Sequence, residues 1–233
     1  MIRWASDRLR WSSELDRGQA SAINKGWRQG RGDILAWLNS DDTYLPGAIS
    51  TAVSYFLRYP DVSAVYGEGC HVDEAGRVLD RYPSEPFDFD RLGETCFICQ
   101  PTVFVRRAVM EQVGYLDESL QFCMDYDLWI RIGKIGRFEY VPAYLATSRL
   151  YKDTKTLGRR KEVYAEVLPM IHGHFGCVPP NWIYAYAKAL AEDGNPRQSR
   201  WDQARFLARM MSVGLCTFLR YNGHAPLVGL FRW

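Results

Sequence analysis

Residues 34–42 read Ile-Leu-Ala-Trp-Leu-Asn-Ser-Asp-Asp, a run of five apolar residues followed at once by four polar ones. A short apolar run of this kind is typical of a strand that is buried on both faces of a sheet. The pattern predicts a strand from Ile34 to Leu38 that stops at Asn39. Because ligands bind beyond the carboxyl ends of strands in open α/β sheets, the same stretch predicts a polar site at the sheet edge.

Two adjacent carboxylates, Asp41 and Asp42, follow this strand. Mg²⁺ prefers oxygen ligands and usually shares its coordination shell between one or two carboxylates and substrate phosphates. The pair therefore fits a site for a metal and a diphosphate. It fits equally well a turn that caps the next helix, since Asp and Asn favour such positions, and the spacing leaves both interpretations open.

Strand and helix patterns alternate up to about residue 150, which indicates an α/β layer architecture. In the helix that begins near Pro46, Ile49, Val53 and Phe56/Leu57 share one face, and this face is predicted to be buried. Gly114 is predicted to end another helix. The predicted strands are 34–38, 62–66, 77–82, 102–105 and 138–145; helices are predicted near 20–29, 46–57, 106–113 and 126–134.

The last third of the chain is predicted to form three helices, near 157–175, 180–193 and 198–221. We therefore divide the chain into a domain at 1–150 and a helical extension at 151–233. The final helix carries an apolar stripe, which predicts either a packed core face or attachment to a membrane surface beside flanking arginines. The stripe comprises Ala204, Leu207, Ala208, Met211, Leu215 and Phe218.

Composition excludes several classes of protein. The 233 residues carry a net charge of +2, weaker than the basic bias of dedicated nucleic-acid binders. Aromatic residues make up 14% of the chain, which excludes a disordered protein. The sequence has no uninterrupted apolar run long enough to span a membrane and no signal peptide at its start, so the cytoplasm is the expected compartment.

The six cysteines include one C-x-x-C pair, Cys96 and Cys99, with no second pair to complete a zinc site. Buried reduced thiols are the expected state. His172, His174 and Cys177 lie close together in sequence and are an alternative metal-ligand set, although no fourth ligand is apparent.

Two further segments place polar residues at predicted helix starts. Asp125 and Asp127 are two residues apart, so one could cap the helix while the other points into a cleft as a general base; capping by both is the alternative. The stretch from Asp16 to Gly26 could bind an anion at a helix N-terminus or simply cap that helix.

Together these segments resemble the family 2 glycosyltransferases of the GT-A fold. The matching stretches follow the family's order over roughly residues 12–156: SELDRGQASAINKGW, GRGDILAWLNSDDTYLPGAI, VYGEGCHVDEAGRV, CFICQPTVFVRRAVMEQVGYLDESLQFCMDYDLWIRI and SRLYKDTKT. The resemblance implies a Rossmann-like mixed sheet flanked by helices. It also implies inverting transfer of a sugar from a nucleotide-diphosphate donor to an acceptor hydroxyl, in synthesis of a cell-surface polysaccharide or glycolipid.

The resemblance also implies roles for individual residues. Asp125 matches the catalytic base, and Asp41 and Asp42 match the metal-binding DxD-type site, with Asn39 where many relatives have the first Asp. Asp16, Gln19 and Asn24 match the donor-side segment, Arg149 and Lys155 are available to bind phosphates, and Gln100, Asp127 and Trp129 match the acceptor and sugar cleft.

The implied partners are Mn²⁺ or Mg²⁺, a UDP-, GDP- or dTDP-sugar donor and a saccharide or lipid-linked acceptor, with possible peripheral contact at the inner face of a membrane. Two features depart from the family pattern. The chain starts after the family's first strand, helix and second strand, which hold the nucleotide base, so it is expected to be N-terminally truncated. Tyr151 stands where relatives often have His. The alternative is an inactive remnant that binds a saccharide or a partner enzyme.

Overall fold

The computed structural model describes residue 9 and residues 11–151, 158–192 and 199–223. Within these ranges the strands are β1 Ile34–Leu35, β2 Thr43–Tyr44, β3 Val62–Val72, β4 Val78–Arg81, β5 Phe104–Arg106 and β6 Arg137–Arg149. The helices are α1 Gln19–Gln29, α2 Ala48–Arg58, α3 Phe89–Glu94, α4 Arg107–Val113, α5 Met124–Ile135, α6 Arg160–Phe175, α7 Pro180–Ala191 and α8 Arg200–Asn222.

The strands form one mixed sheet in the order β1-β5-β3-β6-β2, with β4 also paired to β3. Its centre is the parallel pair of β3 and β6, which runs from Val62 beside Arg137 to Val72 beside Arg149. Nearly every residue of β3 is buried, as expected for a strand covered on both faces. The predicted α/β architecture is confirmed.

Each face of the sheet carries its own hydrophobic cluster. Val65 and Phe104 pack with α2 on one face, whereas their neighbours Tyr66 and Val105 pack in the larger cluster with α5, α6 and α7. This division follows from the alternation of side chains along a strand. The C-terminal helices therefore share a core with the sheet, and the division of the chain at residue 150 stays a prediction.

The predicted helix ends are largely confirmed. Gly114 ends α4 with φ 87° and Gly176 ends α6 with φ 73°, a left-handed conformation that glycine adopts without a steric penalty. Helix α8 begins at a capping box of Ser199 and Asp202, in which each side chain satisfies an otherwise unpaired backbone N–H.

The strand predicted at 34–38 is wrong in length, because β1 ends at Leu35. Beyond Leu35, side chains donate hydrogen bonds to the backbone carbonyls. The indole nitrogen of Trp27 donates to the carbonyl of Ala36 at 3.0 Å, and the amide of Gln100 donates to that of Trp37 at 3.0 Å. The chain therefore leaves the ladder early and turns into the polar segment.

The face predicted for α2 is only partly right, and of the two alternatives for α8 the packed core face is wrong, whereas membrane attachment stays a prediction. In α2 the buried side chains are Ala48, Ala52 and Phe56, while Leu57 is 78% exposed, because the two alanines let this helix approach the sheet closely. In α8 the buried side chain is Thr217, and Met211, in the middle of the predicted stripe, is 59% exposed. No helix in the described ranges is both long and apolar enough to cross a membrane.

Candidate functional site

A cavity of about 590 Å³ lies where the chain leaves β1, at the end of β6 and at the start of α5. It therefore occupies the sheet edge at which α/β proteins bind ligands. Its polar and aromatic lining includes Gln19, Trp37, Asn39, Asp41, Asp42, Gln100, Asp125, Ser148, Arg149 and Tyr151.

The carboxylate of Asp42 is held from two sides. It accepts the backbone N–H of Arg149 at 3.0 Å and the side-chain amide of Asn39 at 3.0 Å. Burial raises the pKa of Asp42 and outweighs these two hydrogen bonds, which lower it, while the charge of Asp41 adds to the rise. Asp42 is thus fixed in orientation, and a neighbouring positive charge stabilises its ionised form.

Asn39 connects the residues around Asp42. Its amide nitrogen donates both to Asp42 and to the side-chain oxygen of Gln100, and its oxygen accepts from Gln19 at 2.9 Å. An aspartate at this position could not donate these bonds. The amide side chain therefore joins the carboxylate pair to Gln19 and Gln100 across the cavity floor.

Asp41 and Arg149 face the same cavity. The hydroxyl of Tyr151 donates to the Asp41 carboxylate at 3.2 Å. The guanidinium of Arg149 donates to the backbone carbonyls of Asp41, Asp73 and Glu74. These bonds hold a permanent positive charge at the rim of the cavity, where it can attract an anion.

The donor set of this site suits a hard cation held jointly with a ligand. Asp41 and Asp42 offer carboxylate oxygens, and the described residues contain no cluster of three or more His, Cys, Asp or Glu side chains that could hold a metal alone. Mg²⁺ and similar ions complete such a shell with water and phosphate oxygens. The residues therefore fit a cation bound together with a diphosphate.

Asp125 faces the cavity from the first turn of α5. Its carboxylate accepts the backbone N–H of Tyr126 at 2.8 Å. Burial raises the pKa of Asp125, the hydrogen bond from Tyr126 opposes the rise, and the charge of Glu166 adds to it. A half-buried carboxylate with a raised pKa can accept a proton at neutral pH.

Asp127 and Trp129 are not brought to the cavity. Asp127 is buried, forms an ion pair with Arg131 at 2.7 Å on its own helix and shares a hydrogen bond with His174 of α6 at 2.7 Å. Trp129 is fully buried and stacks on Trp37 at 5.6 Å. The sequence resemblance did not single out Trp37, which lines the cavity; its indole nitrogen is buried and, among the described residues, has no hydrogen-bond partner.

Asp127 is therefore expected to stabilise the fold rather than to act in the cavity. Burial acts to raise its pKa, but His174 and Arg131 outweigh burial, so the pKa of Asp127 lies below the usual value for Asp. Asp127→Asn should lower the free energy of unfolding by about 3 kcal/mol. Because the pKa of Asp127 is lower in the folded protein than in the unfolded chain, its ionised form stabilises the fold. This contribution is fully present above the ordinary Asp pKa and is lost as pH falls through the pKa of the folded state.

Thermal unfolding followed against pH by circular dichroism measures this effect. The wild-type protein should lose stability toward acid more steeply than Asp127→Asn, and the two curves should converge at low pH. Asp117→Asn, at an exposed position in the turn before α5, serves as the control. A parallel offset of the Asp127→Asn curve at every pH would contradict an ionic role.

The remaining sequence candidates fall elsewhere. Asp16 accepts the backbone N–H of Gly18 at 2.9 Å before α1. Asn24 is buried, and its amide exchanges hydrogen bonds with the backbone of Leu116; neither residue lines the cavity. Lys155 lies outside the described residues. His174 binds Asp127, and all six cysteines are free thiols.

Known proteins are similar to this chain over the segments described above. Residues 12–114 match the family model described as Glycosyl transferase family 2. An uncharacterised glycosyltransferase of Methanocaldococcus jannaschii is 26% identical over 155 residues, covering 64% of this chain and 53% of the relative. The chain thus spans about half the length of that relative.

Two relatives carry specific names. The chondroitin synthase of Escherichia coli is 26% identical over 58% of this chain and 20% of its own length. The hyaluronan synthase of Pasteurella multocida is 25% identical over 66% of this chain and 16% of its own length. Among solved structures, that of S. aureus TarS 1-349 aligns with a TM-score of 0.50 at 13% identity, covering 88% of this chain and 62% of that one. The chain therefore shares the α/β fold of that structure.

Proposed function

We propose that the protein transfers a sugar from a nucleotide-diphosphate donor to an acceptor hydroxyl. The match of residues 12–114 to the family 2 glycosyl transferase model and the similarity to a glycosyltransferase of Methanocaldococcus jannaschii support this reaction class. The observation that carries this proposal is the single cavity lined by Asp41, Asp42 and Asp125. It joins a carboxylate pair suited to cation binding to a separate, half-buried carboxylate suited to proton removal.

In this proposal the carboxylates that line the cavity have different tasks. Asp41 and Asp42 would hold Mn²⁺ or Mg²⁺, and the bound ion would supply positive charge next to the leaving diphosphate. Arg149 adds a fixed positive charge at the rim. Asp125 removes the proton of the acceptor hydroxyl as its oxygen attacks the anomeric carbon from the opposite face, with inversion. Trp37 and Gln100 line the same cavity and carry side-chain N–H groups that can donate to sugar hydroxyls.

The acceptor class we propose is a growing saccharide, as in synthesis of a surface polysaccharide. Two named relatives, a chondroitin synthase and a hyaluronan synthase, support this class. The test is calorimetric titration of UDP, GDP and dTDP into the protein with and without Mn²⁺. Metal-dependent binding of one nucleotide would support the proposal, whereas saccharide binding that is unaffected by Mn²⁺ would favour a module that binds without catalysis.

We further propose that α8 rests on an anionic membrane surface. Leu207, Met211, Leu215 and Leu219 are between 40% and 59% exposed, on the side of α8 away from the buried Thr217. The helix carries four arginines and one aspartate, a net charge of 4 − 1 = +3. An apolar face beside basic residues is the composition of helices that lie in a membrane interface.

Co-sedimentation with vesicles tests this surface. The protein should bind vesicles containing phosphatidylglycerol more strongly than vesicles of phosphatidylcholine alone, and salt should weaken the binding. Met211→Gln with Leu215→Gln should reduce it, while Leu57→Gln, on the exposed face of α2, should not. Equal binding to both vesicle types, or a concentration-dependent dimer that the same double substitution dissociates, would contradict the proposal.

A further inference from the structure

Helix α6 reaches the segment that carries Asp125 through one side chain. The carboxylate of Glu166 accepts three consecutive backbone N–H groups, from Gln121 at 2.8 Å, Phe122 at 2.6 Å and Cys123 at 2.8 Å. Hydrogen bonds to an ionised acceptor are stronger than those between neutral groups. Three of them on one carboxylate fix the backbone just before α5 begins.

The start of α5 has no side-chain hydrogen bond from its own N-cap residue, and the contact with Glu166 fixes the backbone there. The first residues of a helix leave backbone N–H groups unpaired, and a side chain at the N-cap usually accepts one of them. Here the N-cap is Cys123, whose side chain makes no such bond. Glu166, 43 residues further along the chain, accepts the N–H of this N-cap residue and of the two residues before it, and its negative charge suits the N-terminal end of the helix.

The segment held in this way lines the cavity. Gln121, Phe122, Met124 and Asp125 all contribute to its wall. Asp125 follows the last of the three amides by two residues, so the orientation of its carboxylate depends on where these amides are fixed. We propose that Glu166 is a positioning residue, which holds the start of α5 so that Asp125 faces the acceptor side of the cavity.

This inference rests on the proposed function, and it gives the C-terminal helices a part in the reaction. Reorientation of a reacting group by about 1 Å can cost about 100-fold in rate. Loss of Glu166 should therefore lower turnover, while Asp41 and Asp42, which make no contact with Glu166 among the described hydrogen bonds, keep their affinity for the donor.

The charge of Glu166 gives a second signature. The titratable groups that interact with Asp125 from the surrounding elements are Tyr82, Cys96, Cys99, Cys123 and Glu166. Burial raises the pKa of the tyrosine and of the three cysteines, so they stay neutral near pH 7. Removing the charge of Glu166 should lower the pKa of Asp125 and shift the acid limb of the turnover profile to lower pH.

The experiment compares Glu166→Ala and Glu166→Gln with wild-type protein, using Glu162→Gln, one turn earlier on α6, as the matched control. Hydrogen exchange at the amides of residues 121–123 is measured first. Release of nucleoside diphosphate from the nucleotide sugar, with water as acceptor, then gives kcat and KM against pH. We expect faster exchange at these amides, kcat lowered about 10- to 100-fold with KM unchanged, and an acid limb at lower pH in both Glu166 variants.

Two outcomes would overturn the positioning role, and a third would contradict the proposed function. Unchanged exchange at the three amides would mean that Glu166 does not hold them, whatever the turnover. Faster exchange with an unchanged kcat and acid limb would mean that the contact is structural only. Absence of turnover in a wild-type protein that keeps these amides protected would instead contradict the proposed function on which the positioning role depends.

Discussion

Asp125→Asn is expected to lower turnover of the nucleotide sugar by about 10²- to 10⁴-fold, the usual contribution of a positioned general base. Asparagine keeps the size of the side chain and can still accept the N–H of Tyr126, but it cannot take a proton from the acceptor. Nucleotide binding should stay at the wild-type level, because the residues proposed to hold the diphosphate are untouched. Steady-state rates and calorimetry on the same preparation separate the two effects.

The pH dependence of wild-type turnover provides a check on the same residue. Asp125 must be ionised to act, and burial raises its pKa, so activity should fall on the acid side at a pH above the ordinary Asp pKa of about 3.9. Asp127→Asn, two residues away, should keep its turnover. Wild-type turnover in Asp125→Asn would show that another group is the base.

Asp42→Ala is expected to abolish the metal-dependent part of nucleotide affinity, a loss of about 100-fold if the cation contributes about 2.7 kcal/mol. The substitution removes a metal ligand and leaves the Asn39 amide without one of its acceptors. Titration of the preferred nucleoside diphosphate with and without Mn²⁺ measures the loss. Without metal, the residual affinity should equal that of the wild-type protein without metal.

A second variant separates charge from shape. Arg149 and Asn39 donate to different oxygens of Asp42, so Asp42→Asn can keep one of these two hydrogen bonds through its single side-chain oxygen. Its thermal stability should therefore stay closer to wild type than that of Asp42→Ala. Both variants should lose the effect of Mn²⁺, and Asp90→Asn, at an exposed position in α3, should retain it. A response to Mn²⁺ that persists in both Asp42 variants would remove this residue from the metal site.

Much of the fold could be predicted from local signals. Glycines such as Gly114 mark helix ends because their left-handed conformation is unfavourable for other residues, and short apolar runs locate the strands. The faces of α2 and α8 could not be predicted from periodicity. Small residues such as Ala52 pack as well as large ones when a helix lies close to a sheet, so hydrophobicity alone selects the wrong face.

The candidate site was predictable only in part. Asp41, Asp42 and Asp125 are each next to an element boundary, where a sequence motif and a sheet edge coincide. Asp127 shares a motif with Asp125, but two positions along a helix turn a side chain by about 200°, so it points to α6 instead. Glu166 carries no local signature, since its three donors come from a distant part of the chain.

The parallel pairing of β3 and β6 also has a consequence for how the chain folds. Val62 pairs with Arg137, and Val72 pairs with Arg149. Formation of this central ladder therefore closes a long loop of the chain between β3 and β6 before most of the core can form. Such non-local pairing slows folding. During synthesis β3 must wait for β6 to leave the ribosome, and a chain cut before residue 149 would expose an unpaired hydrophobic strand prone to aggregation.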